Sequence, residues 1–246
     1  MKDGITKKII LSPFHLIRKI LDVAKNHCVP IRPPFDIYDK YEIEELNKCY
    51  DHFKDKFKTA IFLDKNFREF AIKRAIENDK KQEKFYLEFG VYKGKTINEL
   101  SRFVNKIYGF DSFEGLKEDW IGRLSAPKGT FDLSKKIPKF NKNVIPISGW
   151  IQDTLENFLT KNSPSINFVH IDVDTYDTTK FILTKIKPYL SNNSIILFDE
   201  LYNFPGWDVG EYKALKEVFN ENEFKYIMFA RNAYCVAIEY QKNEKN

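Results

Sequence analysis

Cysteine is scarce in this chain, and what there is lies scattered: Cys28, Cys49 and Cys235 form no C-x-x-C pair. That excludes a disulfide-stapled framework and a thiolate metal site, and it points to a reducing, cytoplasmic setting. No apolar run approaches the roughly 20 residues that a bilayer-spanning helix needs. The stretch Lys7-Lys8-Ile-Ile-Leu-Ser-Pro13-Phe-His15 is broken by its proline and histidine, and no small-residue cleavage site follows, so it does not read as a signal peptide. Charge of one sign is not in large excess. Lys+Arg 40 against Asp+Glu 35 gives +5, scattered rather than bunched, which argues against nucleic acid as a partner. Internal repeats and low-complexity tracts are absent as well. What remains, 43% hydrophobic residues over 246 positions, suffices for one large domain with an appended segment.

That appended segment is residues 1–66, expected as a helical extension that serves as a lid or a dimer contact. A basic amphipathic helix is expected near Pro13–Ala24, with Phe14, Ile17, Ile20 and Leu21 on one face. Residues 29–36 hold three prolines and read as an extended connector. From Ile43 to about Asn78 the apolar spacing is helical, enough for two or three helices.

The second expected domain is 67–246, where strand-like and helix-like pieces alternate. Strands are expected at Phe85–Phe89, Lys106–Phe110, Asn143–Ile147, Ile166–Ile171, Ser194–Phe198, Phe224–Ala230 and Ala233–Tyr240, with helices between them. This is an α/β class: a Rossmann-like, mostly parallel, seven-stranded sheet with helices on both faces and a C-terminal antiparallel hairpin. Residues 115–142 are too long for a plain connection and are expected to form a lid or substrate loop.

Within that frame one stretch stands out, Phe85-Tyr-Leu-Glu88-Phe-Gly90-Val-Tyr-Lys-Gly94-Lys-Thr96. An apolar strand runs into two glycines and then a periodic helix, so a ligand can approach bare backbone and unpaired N–H groups. A P-loop requires a glycine five positions before Gly94, where Phe89 stands. A dinucleotide turn requires G-x-G-x-x-G, and Glu88 would repel a pyrophosphate, so NAD is the weaker alternative. S-adenosylmethionine, with a positive centre and an amino-acid end, suits the turn better. Asp111 follows Gly90 by 21 residues (111 − 90), where an acid at a strand end grips ribose hydroxyls. Acids also end other strands: Asp172 and Asp174, then Asp199 and Glu200. One acid is a helix cap; four strand ends carrying acids point to a cationic, hydroxyl-rich or metal-bound ligand.

Several motifs in order carry a family resemblance: Leu87–Thr96, Tyr108-Gly-Phe-Asp-Ser-Phe-Glu-Gly-Leu116, Lys128-Gly-Thr-Phe-Asp132, Gly149-Trp-Ile-Gln-Asp-Thr-Leu155, His170-Ile-Asp-Val-Asp-Thr-Tyr176 and Phe198-Asp-Glu200. From about Phe67 to Tyr240 the chain resembles the class I S-adenosylmethionine-dependent methyltransferases, and within them the macrocin O-methyltransferase-like (TylF-like) group. The resemblance implies that Glu88, Gly90, Val91, Gly94 and Thr96 hold the methionine end, with Asp172 beside them. It implies Asp111 on the ribose and Ser112, Phe113 and Trp150 around the adenine. In metal-dependent members Mg²⁺ lies between acids that match Asp172, Asp199 and Glu200; the group more often has two aspartates at the last pair. A hydroxyl on such an ion loses its proton more readily, with Asp172 the first choice of base and Asp174 the second. His170 reads as a satisfied core histidine. Trp207, with Tyr202 and Phe204, reads either as acceptor-pocket wall or as packing under a loop.

The expected function is thus a Mg²⁺-assisted O-methyltransferase acting on a hydroxyl of a sugar, glycan or secondary metabolite. Two alternatives stand beside it: a metal-independent methyltransferase on another acceptor, and a non-catalytic binding protein.

Overall fold

The computed structural model describes residues 36–121 and 125–242. The expected helix at 13–24 and most of the 29–36 connector lie outside the described residues. The chain divides into two compact units, 1–43 and 44–246. Of the first, only residues 36–43 are described, and they open helix α1 (Ile37–Phe53).

The second unit is one twisted sheet with helices on its two faces. Its elements are β1 (Ile61–Leu63), α2 (Phe67–Glu77), β2 (Phe85–Phe89), α3 (Lys95–Leu100), β3 (Ile107–Asp111), β4 (Val144–Ser148), α4 (Ile151–Asn162), β5 (Ile166–Ile171), α5 (Tyr176–Ile186), β6 (Leu190–Phe198), α6 (Glu211–Val218), β7 (Phe224–Ala230) and β8 (Val236–Tyr240). The strands lie in the order β1-β7-β8-β6-β5-β2-β3-β4. All pairs are parallel except those of β8, which runs antiparallel to both β6 and β7. The fold is the Rossmann-like α/β sheet expected, with one strand more than the seven. The extra strand, β1, adds three residues to the outer edge of β7.

Period-two alternation explains why the sheet is covered twice. Leu87, Phe89, Val169, Ile171, Ile196 and Phe198 point into one apolar cluster, against Leu155 and Phe158 of α4, Ile182 and Leu183 of α5 and Leu215 of α6. Tyr86, Phe168, Ile195 and Leu197 point the other way, against Ala71, Ile72 and Ala75 of α2 and Ile97 and Leu100 of α3. Strands β2 and β5 therefore have no solvent face, and each is an almost unbroken apolar run. Burying those side chains stabilises the fold by about 2 kcal/mol for each large one. Strand alternation also decides where polar residues go, which matters for Glu88 and His170 below.

Between β3 and β4 the long loop has no helix among its described residues. It folds back on itself through a Glu114–Asp132 bridge and a Trp120–Ala126 bridge. No helix among the described residues is long and apolar enough to cross a membrane.

Candidate active site

Parallel strands β2, β3 and β5 all end on one edge of the sheet, and a cavity of about 390 Å³ opens there. Open α/β sheets bind ligands at this edge because the strand order reverses and the loops part. Gly90, Val91 and Thr96 line it, as do Asp111 and Ser112 after β3, Trp150 at the start of α4, and Asp172, Asp174 and Glu200. Gly90 has φ +84°, and a Cβ on it would fall on the Asp172 carbonyl oxygen. Only glycine lets the β2 and β5 turns close on each other.

Asp111 is the pin of this turn. Its Oδ2 accepts the N–H groups of Val91 at 2.8 Å and Tyr92 at 2.7 Å, and its Oδ1 accepts that of Phe113 at 2.7 Å. Of the four lone-pair positions on a carboxylate, one, on Oδ1, is left for a ligand. Tyr92 and Phe131 meet edge to face at 5.2 Å across the mouth, and Lys117 lies 5.4 Å from the Trp150 ring centroid. Lys93, Lys95, Lys117 and Trp120 also line the cavity. The sequence reading missed these, because a loop lysine or tryptophan has no periodicity to betray it.

Three residues expected around the cofactor do not line the cavity. Glu88 shares a strand face with Tyr86, turned toward α2 and α3, and is fully buried. Gly94 turns the chain into α3 with φ +79°, tight against the Phe140 ring. Phe113 is 1% exposed and packs in the core with Phe140 at 6.5 Å between ring centroids. Of the two readings of the aromatic group, Trp207 and Tyr202 follow the packing one. Trp207 is 2% exposed in the core and the Tyr202 hydroxyl donates to the Ala230 carbonyl, whereas Phe204 lines a second cavity.

Two carboxylate groups meet at the ends of β5 and β6. In the inner one, His170 Nε2 lies 3.3 Å from Asp199 Oδ1, and its Nδ1 lies 3.5 Å from Glu88 Oε2, long for a hydrogen bond. Arg68 of α2 donates to the same Asp199 oxygen at 2.6 Å. Burial opposes charge on Asp199, but the His170 hydrogen bond and the Arg68 charge outweigh it and hold the carboxyl below the usual range. Burial likewise disfavours a charged His170, yet Asp199 and Glu88 push it up to about 10.

The outer group is Asp172, Asp174 and Glu200, whose carboxylate oxygens come within 4.8 Å of one another. Among the described residues no lysine or arginine forms an ion pair with them, and a His170 ring nitrogen comes within 4.8 Å of an Asp172 oxygen. Burial, then the charge of Asp199, pushes Asp172 up to about 8 and Asp174 up to about 7. Burial and the neighbouring Glu211 carry Glu200 well above its ordinary value. One Glu200 oxygen is buried with no partner. Asp199, expected among the metal ligands, faces Arg68 and His170 and forms a second close group with His170 and Asp172, whereas Asp174 completes the triad with Asp172 and Glu200. Left-handed backbone at Asp174, φ +63°, turns it there. A close-set oxygen triad short of positive charge is the donor chemistry of a hard divalent cation.

Residues 87–201 match a family model described as a methyltransferase domain. Among solved structures, the chain is similar to the crystal structure of CalS11, a calicheamicin methyltransferase, with a TM-score of 0.58 and 20% identity over 92% of this chain and 91% of that one. It is similar, too, to the apo structure of CalS11 described as a TDP-rhamnose 3'-O-methyltransferase, with a TM-score of 0.53 and 18% identity over 92% and 93%. At these identities the likeness is one of fold. No curated protein matches. The matched segment runs from the last residues of β2 to just past β6, and it contains all the cavity-lining and clustered acids of the site. Residues 87–201 match a methyltransferase domain, and the chain is an enzyme of that class.

Proposed function

We propose that this enzyme transfers a methyl group from S-adenosylmethionine to a hydroxyl of a sugar, glycan or secondary metabolite, assisted by Mg²⁺, in the cytoplasm. The observation that carries this reading is the cavity that joins the Gly90 turn and Trp150 at one end to an all-oxygen triad at the other.

The residues fit the cofactor. Trp150 offers a ring for the adenine, and the one open position on Asp111 Oδ1 accepts a ribose hydroxyl. Thr96, Lys93 and Lys95 suit the methionine carboxylate. Glu88 acts behind the strand, through His170 and Asp199. The residues fit a divalent cation too, because Glu200 has an orphaned buried oxygen and three carboxyl groups converge with only His170, beside Asp172, to offset them. Asp172, Asp174 and Glu200 would hold it. When bound, such an ion acidifies an acceptor hydroxyl and fixes its oxygen.

Transfer breaks the sulfonium S–CH₃ bond and forms an O–CH₃ bond, and the hydroxyl proton passes to a carboxylate. Asp172 lines the first cavity alone, whereas Asp174 lines both cavities. Asp174 is therefore better placed to take the proton from an acceptor. A metal-free mechanism has one observation in its favour: Asp199 is already engaged by Arg68.

Calorimetry of the full chain with S-adenosylhomocysteine tests the cofactor reading. Binding is expected in the wild type and weakened about tenfold or more in Asp111→Ala, the loss of a charge-assisted hydrogen bond and of the turn it pins. Absence of binding by the wild type sinks the reading. Methyl transfer that survives EDTA unchanged favours the metal-free alternative.

A further inference from the structure

Beyond the acid triad a second cavity of about 300 Å³ opens, and it shares Trp120, Asp174, Thr175 and Glu200 with the first. Its lining has one sign of charge almost throughout. Among the described residues, Glu118, Asp119, Asp174, Asp177, Glu200 and Glu211 stand against a single Lys213. That lysine sits on the Tyr176 ring, 4.3 Å from its centroid. The first cavity, by contrast, is edged by Lys93, Lys95 and Lys117.

Glu211 adds a second, independent observation. It is 1% exposed, at the start of α6. Its Oε2 accepts the Glu200 N–H at 3.0 Å, while its Oε1 is buried with no partner. A buried carboxylate oxygen left without a donor is costly, and folded proteins seldom keep one without a use. Glu118, Asp119, Asp177 and Glu211 are outside the triad, so a divalent cation there would leave their charge in place.

We propose that the second cavity receives the methyl acceptor, that this acceptor carries a protonated amine near the reacting hydroxyl, and that Glu211 selects it. The proposal rests on the methyl-transfer reading above. An ammonium supplies the donor that Glu211 lacks and the charge that the lining lacks. Phe204 and Tyr176 give the carbon skeleton apolar wall. An acceptor bearing phosphate or carboxylate meets mostly acidic groups among the charged, described lining residues, which disfavours nucleoside diphosphate sugars.

The test uses the full chain saturated with Mg²⁺ and S-adenosylhomocysteine, with saturation-transfer NMR titrations of glucosamine, glucose and UDP-glucose. Glucosamine is expected to bind about tenfold or more tightly than glucose, and UDP-glucose not to compete with it. Glu211→Gln keeps the shape and the acceptor for the Glu200 N–H, and is expected to bring glucosamine down to the level of glucose. Asp177→Asn, at an exposed position on the rim, is expected to reduce the preference by about twofold, a screened surface effect. Glucose binding as well as glucosamine, UDP-glucose binding better than either, or a preference untouched by Glu211→Gln would each overturn the proposal. S-adenosylhomocysteine binding, measured in the same samples, separates the two readings. Its absence in the wild type removes the methyl-transfer reading itself, whereas its presence with the wrong acceptor preference removes only this one.

Discussion

The inner and outer carboxylate groups lie within one strand-end of each other and obey opposite rules. Inside, charges alternate along His170, Asp199 and Arg68, and Glu88 lies behind them 3.5 Å from His170 Nδ1, its carboxyl pushed up by burial. Outside, Asp174, Glu200 and Glu211 stand among other acids, and only Asp172 also comes within 4.8 Å of a His170 ring nitrogen. Buried ions tolerate the first arrangement because attraction offsets lost hydration. The second is tolerated only through raised proton affinity or a bound cation. On the proposed reading the inner row supports the fold and the outer group receives the cation.

Breaking the inner row has the largest expected effect. Arg68→Met leaves Asp199 with His170 and the weak Cys235 thiol donor and should destabilise the protein by about 3 kcal/mol, the low end for a buried pair because Arg68 is partly exposed. Urea unfolding measures it, and a loss below about 1 kcal/mol would show the row to be ornamental. Next in size is Asp111→Asn, which turns an NH₂ group toward two N–H donors. A loss of about 2 kcal/mol is expected in the same assay, accompanied by weaker S-adenosylhomocysteine binding.

The outer group should respond in the opposite sense. Asp174→Asn removes one of several like charges, so metal-free protein should gain about 1 kcal/mol while Mn²⁺ affinity falls about tenfold. A variant that is destabilised with metal affinity intact would erase the contrast between the two groups.

The smallest effect is one of pH. Asp172 at about 8 and Asp174 at about 7 lie above their unfolded values, so between pH 4 and 8 the folded state holds more protons than the unfolded one. Their contribution is fully present below about pH 4 and is lost as pH rises through about 7 to 8. His170, raised to about 10, adds a loss of the same sign between about 6.5 and 10. The Tm of metal-free protein should fall from pH 6 to pH 9, and Mg²⁺ should raise the Tm more at pH 8.5 than at pH 6. A Tm that rises over that range contradicts the charge imbalance.

Much of the sheet was legible because a strand buried on both faces is written as an apolar run, and Ile166–Ile171 is wholly buried. β1 was not: Ile61 and Phe62 are half exposed at an edge, and three residues carry no period. Glu88 was misplaced although its alternation with Tyr86 was in view, since nearness to a glycine turn was given more weight than strand face. Glu211 looked like an acid suited to a helix start; nothing local says that it closes on Glu200. Arg68 likewise has its partner 131 residues away.

The sequence by itself determined which strands form, that acids end them, and that Gly90 must be bare. Those follow from local period and backbone sterics. Which acids share a neighbour with a positive charge, and which are left facing one another, only the tertiary structure decided. Charge compensation depends on distances across the fold: α2 brings Arg68 to Asp199 from 131 residues away, and the loop before α6 folds Glu211 back onto Glu200.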